Sequence, residues 1–317
     1  MKAIAVTRRG RIDFRNYIIY ISFVAIFLFF SVVLANKGFL TGSNLMNIAR
    51  QTAMISVMAV GMTFVLSAGE IDLSIGSIVA LSSLTSALAI RYGGIAAGIA
   101  VGLATGFVIG AFNGLLVSRV GVPSFLVTLG ITSVITGLAR WVTELQSVPI
   151  TNDTFNFIFG SGDVGPISVL FIWTVFLLVL GQLALKKTQF GRSVLATGGN
   201  RVSALYSGIS IRSVKFWVLV ANGMLAALAG MLYAGRLHGA RYSLGETDLL
   251  TVIAAVIIGG TSLSGGKGSV IGAVVGSLIM GMINNGLILM GLSVDQQMIF
   301  RGVIIIIAVS LTMSEKQ

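Results

Sequence analysis

Apolar runs fall at 17–36, 45–68, 73–90, 94–118, 124–142, 166–186, 212–235, 248–264, 268–290 and 294–313. Each approaches the ~20 residues that carry a helix across ~30 Å of hydrocarbon. The pattern predicts an all-α membrane fold of about ten transmembrane helices, one integral domain over 1–317. The run at 248–264 is the weakest, because Gly259, Gly260 and Ser262 crowd its end. Ten spans put both termini on one side. Between the sixth and seventh runs lies a long polar interruption, Lys186 to Lys215, reading KKTQFGRSVLATGGNRVSALYSGISIRSVK.

Composition agrees with this pattern. Of 317 residues, 56% are hydrophobic and 10% charged, against about a quarter charged in a soluble domain. The net charge of +11 would suggest nucleic acid in a soluble protein, but its placement follows topology. With the N-terminus inside, Lys2, Arg8, Arg9, Arg11, Arg15, Arg119, Lys186, Lys187, Arg192, Arg201, Arg212, Lys215, Lys267 and Lys316 lie on inner segments. Lys37, Arg50, Arg91, Arg140, Arg236, Arg241 and Arg301 lie at outer ends. The twofold excess obeys the positive-inside rule and places both termini in the cytoplasm. Nucleic acid need not be invoked. Arg8-Arg9 ahead of an apolar run admits a cleavable or twin-arginine signal, but no small-x-small site follows, so the run reads as an uncleaved first helix. Cysteine is absent, which excludes disulfides and thiolate metal sites and fits a bacterial inner membrane.

Glycine placement adds packing information. Gly94, Gly98, Gly102, Gly106, Gly110 and Gly114 recur every fourth residue, a smooth stripe for close approach of a neighbouring backbone. Gly272 and Gly276 repeat the spacing.

Candidate chemistry is sparse. In SAGEIDLSIGS, residues 67–77, Glu70 and Asp72 would stand about 200° apart on a continuous helix, so the sequence predicts a break near Gly69. Asp72 then caps the following span, and Gly69, Glu70, Asp72 and Ser74 are candidates for lining a pathway at a broken helix. Asn284 and Asn285, inside a span, suit interhelical hydrogen bonding or pathway lining. The stretch GGTSLSGGKGS, 259–269, fails the phosphate-loop pattern, because Thr261 and Gly268 stand where glycine and Ser/Thr are needed. It reads as a flexible cytoplasmic connector or gate. His238 is the one histidine, and no catalytic set or metal cluster has usable spacing. No cofactor is expected. Two outer loops, 143–166 and 236–248, present Glu144, Asp153, Asp163, Arg236, Arg241 and Glu246 as candidates for docking a soluble partner. Arg50, Arg140 and Arg301, at outer span ends, read as snorkelling to headgroups.

Within the polar interruption, Gly198 and Gly199 suggest a sharp turn, Asn200 an N-cap and Gly208 a stop. A short helix between them would expose Ala204 and Leu205 to another protein.

At these residues the chain resembles the permease subunits of bacterial ABC sugar importers of the ribose-type branch. The resemblance rests on AVGMTFVLSAGEIDLSIGS (59–77), GRSVLATGGNRVSALYSGI (191–209), LAALAGMLYAGR (225–236) and AAVIIGGTSLSGGKGSVIGAVVG (254–276); the ending NNGLILMGLSVDQQMI looks most like ribose permeases. It implies a fold similar to the ten-helix vitamin B12-type importers, a homodimer in the membrane lipid, a cytosolic ATPase with tandem nucleotide-binding domains, and a periplasmic or extracellular sugar-binding protein. It also implies that 187–211 is the cytoplasmic coupling segment, with Gly198, Gly199, Asn200, Arg201, Ser203, Ala204, Leu205, Tyr206 and Gly208 at the ATPase contact. Glu70 stands where the family usually has glycine, and Tyr206 where arginine is common.

The expectation is therefore a monosaccharide importer permease working by alternating access, not an enzyme, with ATP hydrolysis on a separate subunit. The alternatives are an ion-coupled secondary sugar transporter using Glu70 or Asp72, and a non-transport membrane scaffold or receptor subunit.

Overall fold

Helices follow one another almost without interruption from Ile18 to Ser314, and the computed structural model describes residues 18–314. Tyr17, the basic residues Lys2, Arg8, Arg9, Arg11 and Arg15, and Lys316 lie outside the described residues. The helices are α1 (Ile18–Val33), α2 (Gly42–Ser67), α3 (Ile75–Leu115), α4 (Ser124–Thr143), α5 (Asp153–Asn156), α6 (Val169–Lys187), α7 (Gln189–Gly199), α8 (Arg201–Tyr206), α9 (Ile211–Leu237), α10 (Asp248–Ile258), α11 (Val270–Met290) and α12 (Val294–Ser314). Among the described residues, α2, α3, α4, α6, α9 and α11 are long and apolar enough to cross a membrane. Short polar residues start many of them: Thr41, Ser168, Thr188, Asn200, Ser210 and Ser269 each accept a backbone N–H at a helix N-terminus.

The runs at 73–90 and 94–118 are two limbs of α3, folded back at Gly94. Gly94 takes φ 74°, ψ −171° inside the helix, a conformation that costs glycine little. The Thr85 and Thr105 hydroxyls lie 2.9 Å apart, although twenty residues of straight helix would separate them by ~30 Å. Gly94 is therefore the hairpin turn and not part of the small-residue stripe. The rest of the stripe packs. Gly98 lies against Ser86 and Ile90 of the first limb, and Gly102 between Ser86 and Met231. Gly106, Gly110 and Gly114 lie against the α9 backbone at Gly223, Leu219–Val220 and Phe216.

The run at 248–264 yields a shorter helix than the pattern predicts. α10 stops at Ile258, eleven residues long, about 16 Å at 1.5 Å per residue. Gly259 sits against the backbone of Gly272, and Gly260 turns the chain with φ 85°. Gly276 likewise meets Ala255, so the second small-residue pair also serves close packing.

The core is organised around α2, buried almost continuously from Thr52 to Ser67, with α6, α9, α10 and α11 packed on it. At one end of the bundle, Val148–Pro149 pairs antiparallel with Gly239–Ala240, and Asp163–Val164 with Ile167–Ser168. The 143–166 segment is more than a solvated loop: Phe155, Phe159 and Trp173 stack, with centroids 4.7 and 5.8 Å apart. The connector containing α7 and α8 lies at the opposite end.

Candidate functional site

α2 ends at Ser67, Gly69 turns with φ 77°, and residues 70–74 run without helix to the start of α3. Exposed backbone polar groups are costly in an apolar bundle, and α4 supplies their partners. Ser124 Oγ accepts the Ile71 N–H at 3.0 Å, Thr128 Oγ1 accepts the Leu73 N–H at 3.0 Å, and Thr132 Oγ1 donates to the Leu73 carbonyl at 3.1 Å. Ser124, Thr128 and Thr132 are spaced by four, one face of a helix. That stripe was legible in the sequence but overlooked there.

Asp72 is fully buried. Its Oδ1 accepts from the Ser74 N–H (2.8 Å) and hydroxyl (2.6 Å), and its Oδ2 from Asn222 Nδ2 (2.8 Å). The carboxylate closes a turn onto Ser74, one residue ahead of α3, instead of reaching the N–H groups of the first helical turn. Asn113 Nδ2 donates to Ser74 Oγ at 3.0 Å. Asp72 and Ser74 thus tie the break to both α3 limbs and α9.

Glu70 is also buried, and one of its oxygens takes Arg201 Nη2 and Lys215 Nζ, each at 2.7 Å. Arg201 opens α8 and Lys215 lies in the first turns of α9. The carboxylate joins the break after α2 to the start of α8 and to the first turns of α9. The sequence gives no local signal of this, since the partners are remote along the chain.

The connector differs from the sequence reading in two respects. Residues 189–199 form the helix α7, so Gly198 and Gly199 are its last residues and not a turn; the reversal falls at Asn200, φ −153°, ψ 108°. Asn200 Oδ1 accepts the Ser203 N–H at 2.9 Å, and Gly208 ends the segment with φ 79°. Ala204 is buried at 3% exposure and not presented outward, whereas Leu205 (61%), Val202 (63%) and Tyr206 (87%) are exposed. Arg201, Ser203 and Gly208 are exposed as well.

Three glycine segments meet beneath α7. Gly198 lies against Ser67 and Gly265, and Gly199 against Gly266, while the Gly266 N–H donates to the Ser67 carbonyl at 2.9 Å. The 259–269 connector is therefore pinned between the ends of α2 and α7. A side chain at Gly198 would drive into backbone, which explains the residue type.

At the other end, the six loop candidates separate. Glu144, Asp153 and Arg241 are exposed. Asp163 pairs with Arg50, and Glu246 faces Arg140 at 3.9 Å. Arg236 is half-buried and donates to the Arg50 carbonyl at 3.2 Å. Arg140 also lies 5.5 Å from the Tyr242 ring centroid, and Arg301 Nη2 donates to Asn284 Oδ1 at 3.2 Å. Arg50, Arg140 and Arg301 thus each meet protein groups at these span ends. Asn285 exchanges two hydrogen bonds, of 3.0 and 3.1 Å, with Asn44 across α2 and α11. Asn284 and Arg236 line a cavity of about 210 Å³. Among the described residues, no group of three or more His, Cys, Asp or Glu is placed to hold a metal ion.

Comparison with known proteins places the chain in a family. Residues 44–309 match the family described as branched-chain amino acid transport system / permease component. The chain is 40% identical to the ribose import permease protein of Bacillus subtilis (strain 168), over 91% of each chain. It is 38% identical to the ribose import permease protein of Escherichia coli (strain K12), again over 91% of each. It is 37% identical to the L-arabinose ABC transporter permease protein of Azospirillum brasilense, over 90% of this chain and 84% of the relative. No solved structure matches. By these matches the chain belongs to the family of the branched-chain amino acid transport system permease component.

Proposed function

We propose that this chain is the membrane-spanning permease subunit of an ATP-driven monosaccharide importer, providing the pathway by alternating access. The similarity to ribose and arabinose permeases supports the substrate class. ATP is hydrolysed on a separate subunit, a cytoplasmic ATPase with tandem nucleotide-binding domains, and a periplasmic or extracellular protein delivers the sugar. Two copies of the chain enclose the route. Counting both limbs of α3 with α1, α2, α4, α6, α9, α10, α11 and α12 gives ten helices, the number in vitamin B12-type importers. The connector faces the cytoplasm with both termini, in a bacterial inner membrane.

The observation that carries this reading is α8. It is a short capped helix that exposes Val202, Leu205 and Tyr206 while Arg201 at its start is anchored to Glu70. An exposed apolar patch on an anchored element suits a docking partner, and force on α8 would pass to the break after α2. Ion coupling is less well supported. Both Asp72 oxygens are taken by hydrogen-bond donors, and Glu70 already holds two cations.

Because the chain has no cysteine, Tyr206→Cys carries a single thiol for a benzophenone maleimide. Irradiation of the assembled transporter should link this position to the ATPase, while the same probe at Trp141→Cys, on the opposite end, should not. Absence of the adduct at 206 would count against α8 as the coupling helix.

A further inference from the structure

The 210 Å³ cavity lies between α2, α9, α10, α11 and α12, near the end opposite α8. Its lining includes Gln51, Arg236, Asp248, Thr251, Asn284 and Arg301. Thr52, Asn284 and Arg301 stand six to ten residues inside their helices, roughly 10–15 Å below the helix ends at 1.5 Å per residue. An ionisable side chain at such depth is costly unless it serves a function, and Arg301 is one; Arg236 and Asp248 join it from the last turn of α9 and the first residue of α10.

The lining groups are only partly satisfied by one another. The Tyr233 hydroxyl donates to Asp248 Oδ2 at 2.6 Å, and Arg301 donates to Asn284 Oδ1 at 3.2 Å. Thr251 is 4% exposed, and its Oγ1 has no hydrogen-bond partner. A guanidinium carries five N–H donors, and the hydrogen bonds of Arg236 and Arg301 use one each. The volume far exceeds the ~10–15 Å³ that admits one water.

We propose that this cavity is a binding station for one monosaccharide on its way through the permease. This rests on the importer reading above and extends it by assigning the sugar a place within the chain. A sugar ring presents hydroxyls that both donate and accept. The cavity answers with guanidinium and amide donors and with carboxylate and carbonyl acceptors. Two guanidinium groups against one carboxylate disfavour a cation. The site is also mechanically connected to the connector. α10 leaves the cavity and reaches Gly259, packed on Gly272 of α11, and the following loop is bonded to Ser67 beneath α7.

The absence of native cysteine makes the test direct. Gln51→Cys changes a lining side chain that is partly exposed, so a water-borne reagent can reach it and the fold should tolerate it. In the reconstituted importer, a small water-soluble methanethiosulfonate should modify this thiol. Ribose, arabinose or allose at high concentration should slow the reaction at least threefold, with no effect on Trp141→Cys. Asn284→Ala should lower ATP-dependent uptake about tenfold while stimulation of the ATPase by loaded binding protein is retained. An unreactive thiol, a rate indifferent to neutral sugars, or protection by sugar acids or sugar phosphates alone would overturn the proposal. So would undiminished uptake by Asn284→Ala. If the wild-type importer moves no monosaccharide, the importer reading itself fails; if it does while the thiol stays unprotected, only the cavity proposal fails.

Discussion

Arg201 reaches Glu70 across 2.7 Å, from the first residue of α8 to the first residue after the Gly69 turn. Lys215 reaches the same carboxylate oxygen from α9. A buried carboxylate is tolerable because two cations meet it, and removing one side of such a pair is worse than removing both. Glu70→Gln leaves Lys215, itself only 15% exposed, without its counter-charge. It is expected to destabilise the detergent-solubilised protein by about 3–5 kcal/mol. Adding Lys215→Met should restore part of that loss. Arg201 is half-exposed and solvent-screened, so Arg201→Met should cost less, about 1 kcal/mol or below. Thermal unfolding of the single and double variants checks the order; additive losses from Glu70→Gln and Lys215→Met would contradict it.

The exposure pattern of α8 separates docking from folding. Leu205→Arg should reduce co-purification of the ATPase while leaving the melting temperature of the isolated permease unchanged. Ala204→Arg, at a buried position, should lower that melting temperature as well, by the cost of an overpacked and charged site. Equal effects of the two variants on stability would contradict the placement of α8.

Asp72 holds the break through three hydrogen bonds to one carboxylate. Asp72→Ala should destabilise the protein by several kcal/mol, since each bond to a charged group contributes about 1.5–3 kcal/mol and Asn222 loses its acceptor. If Asp72 is structural, uptake by the wild-type importer should not respond to an imposed sodium or proton gradient. A gradient response abolished at Asp72 would revive the ion-coupled alternative.

The α3–α9 contact depends on missing side chains. A Cβ at Gly106 would meet the Gly223 carbonyl and Ala227, so Gly106→Val should prevent accumulation of folded protein. Gly137, with nothing near its Cβ position, should accept alanine with stability unchanged or slightly raised. Expression and size-exclusion profiles distinguish the two.

Much of the fold was legible because helices in a membrane announce themselves by length and hydropathy. The break at Gly69, the cap at Asn200 and the stop at Gly208 were readable, since each depends on local backbone chemistry. Gly94 was misread because a turn glycine and a packing glycine look identical when the spacing is regular. The weakness of the run at 248–264 was readable from Gly259, Gly260 and Ser262, but not that α10 stops before them at Ile258. α7 went unseen because a helix of mixed polarity resembles a loop when only hydropathy is followed. The partners of Glu70 and Asp72, Lys215 and Asn222, come from distant segments, and only the fold brings them together. Ala204 shows the same limit: its burial is set by what α8 lies on, not by its neighbours in sequence.

The energy source separates an ATP-driven importer from an ion-coupled carrier. Labelled ribose should accumulate in proteoliposomes that contain this chain, its ATPase and its binding protein when ATP is supplied, and not when ATP or the ATPase is withheld. Accumulation driven by an ion gradient through this chain alone would contradict the account.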